Sequence, residues 1–493
     1  MTARALSRRV GRRARRGQPA RCGQRGFTLI ELMIALLAGL IVAMGVVGLS
    51  RDATHTFHEE MRGSAAEAAL RTAVDRLRSD LQRAGFMSTG NILLDPLIAK
   101  KPGGSTLDNQ LDKAKLLPGL GQLASIYRVP GGSYNANLKG AAVDLSSLNG
   151  VQPDLIQISG NMTSTDQYPV QLIAQSPVGN CTQILLSPTS PAMYRVLASG
   201  AAAPQTLHDI FQPVPTSDSR QFIVRLVDDT GHTQYLVTCA YSGNGSGTNN
   251  GAAGVSNVTG ASSSVDGGAS GMQNASPYLW IDTSLTSILS AKAAGTNGGV
   301  SGFCAGVCWV NPVQIVQWEI SLPSGTPQDP EPPQDESILA GQPLTPTTAD
   351  PAKFDLMRSY VDAFGAVVSD TSEIVAEYAV DLAFAFSVDT STSNLLPNVV
   401  TYGFDDPNDN NIWAYPNVNA AGIAAAQGPQ RIRAVRARVV TRTSQPDRSA
   451  NIPVSNFGAQ EFMYRYKIDA TDYARARTMV TQVALANQAR NFY

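Results

Sequence analysis

From residue 27 to residue 49 the chain contains no lysine, arginine, aspartate or proline, and only one acid, Glu31. A helix that faces water on one side needs a polar stripe, so this absence excludes an ordinary surface helix. At ~1.5 Å per helical residue the run reaches roughly 35 Å, enough to cross a hydrocarbon core of about 30 Å with some tilt, and it predicts a transmembrane helix. Residues 1–26 lack acids altogether, yet hold Arg4, Arg8, Arg9, Arg12, Arg13, Arg15, Arg16, Arg21 and Arg25. Such a basic flank stays on the cytoplasmic side. In a secretory signal the apolar region precedes the cut and leaves with it; here it follows, and is retained. Nucleic-acid binding is the competing reading of the arginines, and the adjoining span favours anchoring.

Histidine is also scarce, which limits catalytic and metal chemistry. The chain has His55, His58, His208 and His232 only. His55, His58 and Glu59 share a helical face at near-ligand spacing, but no further ligand pattern accompanies them. The five cysteines include no second close-spaced pair beyond Cys304 and Cys308. Gly302-Phe303-Cys304-Ala305-Gly306 copies the outline of a nucleophile elbow without its strand-to-helix setting or a partner base. Asp406, Asn408 and Asn410 have the spacing of a calcium loop, but Asn411 stands where the turn glycine belongs and no Glu closes the loop; an Asx-rich turn is the plainer reading. The sequence therefore predicts no catalytic residue, no metal site and no cofactor, and the chain is expected not to be an enzyme. It shows no regular internal repeat.

What the chain does have is one long helical signal followed by many short extended ones. Past the apolar run, Ala66, Ala69, Leu70, Ala73, Val74, Leu77 and Leu81 recur at helical spacing. Glu67, Arg71, Asp75, Arg76, Arg78, Asp80 and Arg83 are expected on the remaining surface, and Gly85 is a plausible stop. The expected divisions are a basic leader at 1–26, a membrane half-helix at 27–49, an amphipathic half at 50–85 and a head at 86–493. Strands are predicted at 154–159, 182–186, 221–227, 234–239, 313–320, 378–386 and 431–442, each β-branched or alternating and bounded by turn residues. A helix first and sheet afterwards argues for an α+β fold. Residues 241–276, rich in Gly, Ser, Asn and Thr, and 322–351, rich in Pro and acid, read as surface insertions with too little apolar content to fold alone. Decoration is the plain reading of the first, and a repetitive adhesive segment the sharper one. Arg431, Arg433, Arg436 and Arg438 form a local basic run whose alternation predicts a solvated strand face.

Cys22 lies in the leader, which leaves Cys181, Cys239, Cys304 and Cys308 in the head. Four thiols allow three pairings. Cys181 with Cys239 would join two predicted strands, and Cys304 with Cys308 would close a tight loop; zinc is the competing use. Disulfides would place the head outside the cytoplasm.

The segment Gly26-Phe27-Thr28-Leu29-Ile30-Glu31 resembles the prepilin cleavage and methylation motif of type IV pilins and of the pseudopilins of type II secretion. The resemblance implies cleavage by a prepilin peptidase at the Gly26–Phe27 bond, N-methylation of Phe27, and an assembly role for Glu31. An ionised carboxylate in hydrocarbon is costly and seeks a cation, and the amino terminus at Phe27 of a neighbouring subunit would supply one. The alternative is that Glu31 reaches back to the cytoplasmic interface. Pilins often carry a proline further along this helix, whereas here only Gly39, Gly45 and Gly48 could weaken it. Looser stretches at Phe86, 154–158, 316–320, 356–358, 375–389, 431–436 and 475–491 resemble, in their order, minor pilins of the PilW family. That resemblance implies a low-abundance inner-membrane subunit with a periplasmic head. It would join other minor pilins and pilus assembly subunits to prime a pilus and finish at its tip on the cell surface. A J-type pseudopilin shares much of the pattern, and a pilin-anchored adhesin or enzyme is the remaining alternative. Loss of nine arginines with the leader moves the formal net charge from −1 to −10, which disfavours a broad nucleic-acid surface.

Overall fold

A computed structural model of the chain describes residues 28–98, 117–133, 149–173, 181–187, 189–193, 207–213, 220–229, 231–239, 255–256, 278–282, 285, 307–321, 353–391, 398–404, 428–447, 451, 458–468 and 472–488. Two compact units are distinguished, Met1–Met61 and Arg62–Tyr493. The helix α1, Leu29–Gln82, begins in the first and ends in the second.

In the first unit α1 is unbroken through Gly39, Gly45 and Gly48, with nothing within 4 Å of where a Cβ would stand on any of them. Leu, Ala and Met supply propensity, and no proline interrupts the ladder. Its large apolar side chains, from Leu29 to Leu49, are exposed. The helix is long and apolar enough to cross a membrane, and its most apolar window is 0% buried. That combination suits a lipid-facing rod rather than a core helix.

In the second unit the last turns of α1 bury Gly63, Leu70, Ala73, Val74, Leu77, Asp80 and Leu81 along one face. This is the apolar stripe read from the periodicity, with one correction. Asp80, expected on the surface, is 5% exposed. It accepts from Arg358 Nε at 2.7 Å and from Trp318 Nε1 at 3.0 Å, partners more than two hundred residues away that no helical pattern could announce. Burial alone would push the Arg358 guanidinium down, but the hydrogen bonds and charge of Asp80 hold it above its ordinary value. The helix stops at Gln82, and Gly85, at φ +70, turns the chain so that its N–H reaches the Ser159 carbonyl at 2.8 Å. Asn487 donates to the carbonyls of Gln82 and Ala84, so a residue near the far end of the chain caps this helix.

Two antiparallel sheets follow the helix. The first contains β1 Ile126–Val129, β2 Leu155–Gly160, β3 Tyr168–Ile173, β4 Cys181–Leu186, β5 Ile223–Val227, β6 Thr233–Val237, β7 Val255–Ser256, β8 Tyr278–Asp282, β9 Cys308–Ser321, β10 Asp355–Val361 and β11 Val367–Ala376. A short helix α2, Pro118–Gly121, precedes β1, and another, α3, Leu207–Phe211, lies between β4 and β5 in sequence. Strand β9 organises the sheet: its first half pairs with β3 and β5, its second with β2 and β10. The second sheet contains β12 Ala379–Asp389, β13 Val399–Thr401, β14 Ile432–Arg442, β15 Arg465–Lys467 and β16 Tyr473–Ala484, in the order β13-β12-β14-β16-β15. The main core joins Leu70, Leu77 and Leu81 of α1 to Ile156, Ile158, Val316 and Trp318 of the first sheet and to Leu382, Phe384, Phe386, Val435 and Val439 of the second. Helix and both sheets thus share one interior, an α+β head.

Asp154 fastens one sheet to the other. Its N–H donates to Leu382 O at 2.7 Å, and its carboxylate accepts from Phe384 N at 3.0 Å and Arg128 Nε at 2.8 Å. Burial pushes the Asp154 carboxyl up, with Arg128 and the backbone donors acting in opposition. The crossing from β11 to β12 is made at Glu377 and Tyr378, the latter at φ +56. Tyr378 donates its N–H to Asp355 Oδ1 at 2.9 Å, and its ring lies under Lys353 and Arg442.

The arginine run in β14 also departs from expectation. Arg431 and Arg438 are buried rather than solvated, and Arg433 and Arg436 are half-buried. Arg438 pairs with Asp381 at 2.7 Å between the rings of Phe404 and Phe462, and Arg433 reaches Asp389. Anions and aromatic faces contributed by other segments turn an apparent surface stripe into an interior one. Within the insertion at 241–276, Val255–Ser256 pairs with β8; its other residues, and the whole of 322–351, lie outside the described residues.

Candidate functional site

The charged end of the apolar helix is the most informative site, and its geometry is that of a capped amino terminus. Thr28 N donates to Glu31 Oε2 at 3.0 Å and Thr28 Oγ1 donates to the same oxygen at 2.9 Å. In return, Glu31 N donates to Thr28 Oγ1 at 3.3 Å. This reciprocal pattern is a capping box, which satisfies N–H groups that the first helical turn leaves without intrahelical partners. The carboxylate also sits where the helix dipole favours a negative charge. Both contacts use Oε2; among the described residues, Oε1 has no partner. These contacts hold the Glu31 side chain near the helix start.

Thr28 did not stand out in the sequence as a positioning residue, although the Thr-x-x-Glu spacing that carries the box was legible there. Gly26 and Phe27 lie outside the described residues. Within α1 the pair Thr28 and Glu31 is followed by no charged residue until Arg51.

The other candidate chemistries are not brought together. His55 pairs with Glu59 at 3.0 Å through Nδ1, an i,i+4 contact on one helix, and His58 lies beside it with Phe57 at its edge. His232 stands 3.8 Å from Asp228. Among the described residues, no group of three or more His, Cys, Asp or Glu side chains could hold a metal ion. The segments 302–306 and 406–411 and the side chain of His208 lie outside the described residues. Cys239 and Cys308 are each disulfide-bonded. Cys304 and the side chain of Cys181, their expected partners, lie outside the described residues.

A protein-family model described as the prokaryotic N-terminal methylation motif matches residues 21–47, the segment that contains Gly26, Phe27, Thr28 and Glu31. No curated protein and no solved structure matches the chain. The matched motif, with the apolar helix that continues it, supports a type IV pilin-like protein in the broad sense that includes the pseudopilins.

Proposed function

We propose that this chain is a minor pilin of the PilW type, a structural rather than catalytic subunit that joins other minor pilins in a complex priming type IV pilus assembly and finishes at the pilus tip. A prepilin peptidase cuts the Gly26–Phe27 bond and methylates the new amino terminus. The apolar helix then holds the subunit in the inner membrane, with the leader side cytoplasmic and the head periplasmic, until it moves into the fibre. The observation that carries this reading is the capped Glu31, the one charged residue of the exposed apolar stretch 29–49, with Oε1 unengaged among the described residues. An anion of this kind in a lipid setting gains from a cation on a neighbouring helix, and a processed Phe27 amine is such a cation. A head of more than four hundred residues would crowd a shaft built of close repeats, whereas a tip position places no copy beside it.

Mass spectrometry of the chain from membranes and from sheared surface fibres tests this directly. The expected product begins at N-methylated Phe27 and is recovered with other minor pilins. Gly26→Leu should leave a chain about 26 residues longer. Glu31→Ala should leave membrane insertion intact and abolish recovery from fibres. A native chain that keeps its first residues, or normal incorporation of Glu31→Ala, overturns the proposal. Recovery with a secretion apparatus instead of a pilus would favour the J-type pseudopilin.

A further inference from the structure

Strand β16 has an open edge, and its sequence does nothing to guard it. Along residues 476–484 one side pairs with β14 throughout, from Ala476 opposite Arg442 to Ala484 opposite Ala434. The other side is covered only at its start. β15 pairs with residues 473–475, and Ala476 N–H then donates to Tyr464 O at 2.7 Å. Leu485 N–H points the opposite way, to Arg433 O, so the backbone groups of Thr478, Val480, Gln482 and Ala484 face outward, away from β14. Among the described residues no other strand pairs with these backbone groups; Thr478 Oγ1 donates to Met463 O at 2.8 Å, and all four residues are exposed, Val480 at 50%.

Natural sheets blunt such edges with charge, proline, bulges or covering loops. Residues 478–484, Thr-Met-Val-Thr-Gln-Val-Ala, contain no charge, no proline and no glycine. The register with β14 runs without a bulge. Val483 and Met479 pack into the main core on the inner face, so the edge is fixed in an extended form over about 23 Å. A row of outward N–H and C=O groups at strand spacing selects its occupant by backbone chemistry, because only another extended chain satisfies both sets. The one charge at the margin is Arg477, half-buried, with no carboxylate partner among the described residues.

We infer that residues 476–484 receive an antiparallel strand from a companion subunit of a different kind, one that carries an acidic side chain opposite Arg477. This rests on the reading of the chain as an assembling subunit. Antiparallel addition continues the pairing found throughout the sheet. Cross-strand pairing of opposite charges then sets the register. A second copy suits the site less well, because residues 476–484 contain no acid to meet Arg477 and each processed copy carries a formal net charge of −10.

The test uses the full-length chain in detergent, alone and as recovered with its companion subunits from membranes. Amide exchange resolved at Thr478, Val480, Gln482 and Ala484 should slow at least ten-fold in the assembly. Val480→Pro, which removes an outward N–H, and Val480→Lys, which adds an edge charge, should each reduce companion recovery at least ten-fold. Val480→Thr should retain it, and all variants should match the wild type in abundance and in the disulfides of Cys239 and Cys308. Undiminished recovery with Val480→Pro and Val480→Lys overturns the edge proposal while leaving the subunit reading intact, as do unslowed amides in the assembly or assemblies made of this chain alone. A wild-type chain that never recovers companions overturns both.

Discussion

Replacing Asp80 by alanine should be among the most damaging single changes in the head. Asp80 holds Arg358 through contacts at 2.7 and 3.4 Å and accepts the Trp318 indole N–H at 3.0 Å, with both ionic side chains under a tenth exposed. Alanine would leave a guanidinium buried without a close anion. Glu373 lies 3.9 Å from Arg358 but is half-exposed, and water weakens its pull. Removing one member of a buried pair costs about 3–5 kcal/mol, most of it from the charge left behind. With a urea slope of about 3 kcal/mol per molar, the unfolding midpoint should fall by roughly 1–1.7 M. Tryptophan fluorescence gives the readout, since Trp318 is fully buried against this aspartate. The double change Asp80→Leu with Arg358→Met should recover most of the loss, because replacing both charges by apolar groups abolishes the unpaired charge. A midpoint shift below 0.3 M for Asp80→Ala, or a double variant as weak as the single one, would refute the reasoning.

Two further changes probe the joints of the fold. Burial pushes the Asp355 carboxyl up to about 6 against the opposing charge of Lys353, so the folded state binds a proton that the unfolded chain has already released. Its contribution to stability is full below about pH 4 and is lost as the pH rises through 6; urea midpoints at pH 4.5 and 7 should show a falling component that disappears in Asp355→Asn. Gly160→Ala would drive a methyl group into the Arg83 carbonyl at the end of α1, and its thermal midpoint by circular dichroism should drop in keeping with about 1–3 kcal/mol. An unchanged midpoint would mean that β2 and the helix end are not held as closely as described.

The long helix, its stopping point and the change from helix to sheet were legible because each is a local signal. Apolar spacing marks the buried face at Leu70, Val74, Leu77 and Leu81, and Gly85 marks the turn. The expected strands at 154–159, 182–186, 313–320, 378–386 and 431–442 match β2, β4, β9, β12 and β14 closely. What failed was the sign of burial for charged residues. Asp80 looked like one more polar position on a helix, and Arg438 like part of a wet strand face, because the groups that neutralise or stack on them come from distant segments. β16 escaped strand assignment because arginines and small residues dilute its alternation, and only the pairing with β14 reveals it. At the amino terminus the opposite held. Thr28 and Glu31 are three residues apart, so their geometry was available to anyone counting along the chain.

The cap that Asn487 places on the carbonyls of Gln82 and Ala84 makes the end of the first helix depend on a segment far along the chain. A chain made in order delivers the first helix long before this asparagine, since the bonded residues Gln82 and Asn487 are 405 positions apart. Until then the helix terminus has exposed carbonyls, and Asp80 also waits for Arg358. The end of the first helix therefore gains these partners only once the later segments have folded beside it.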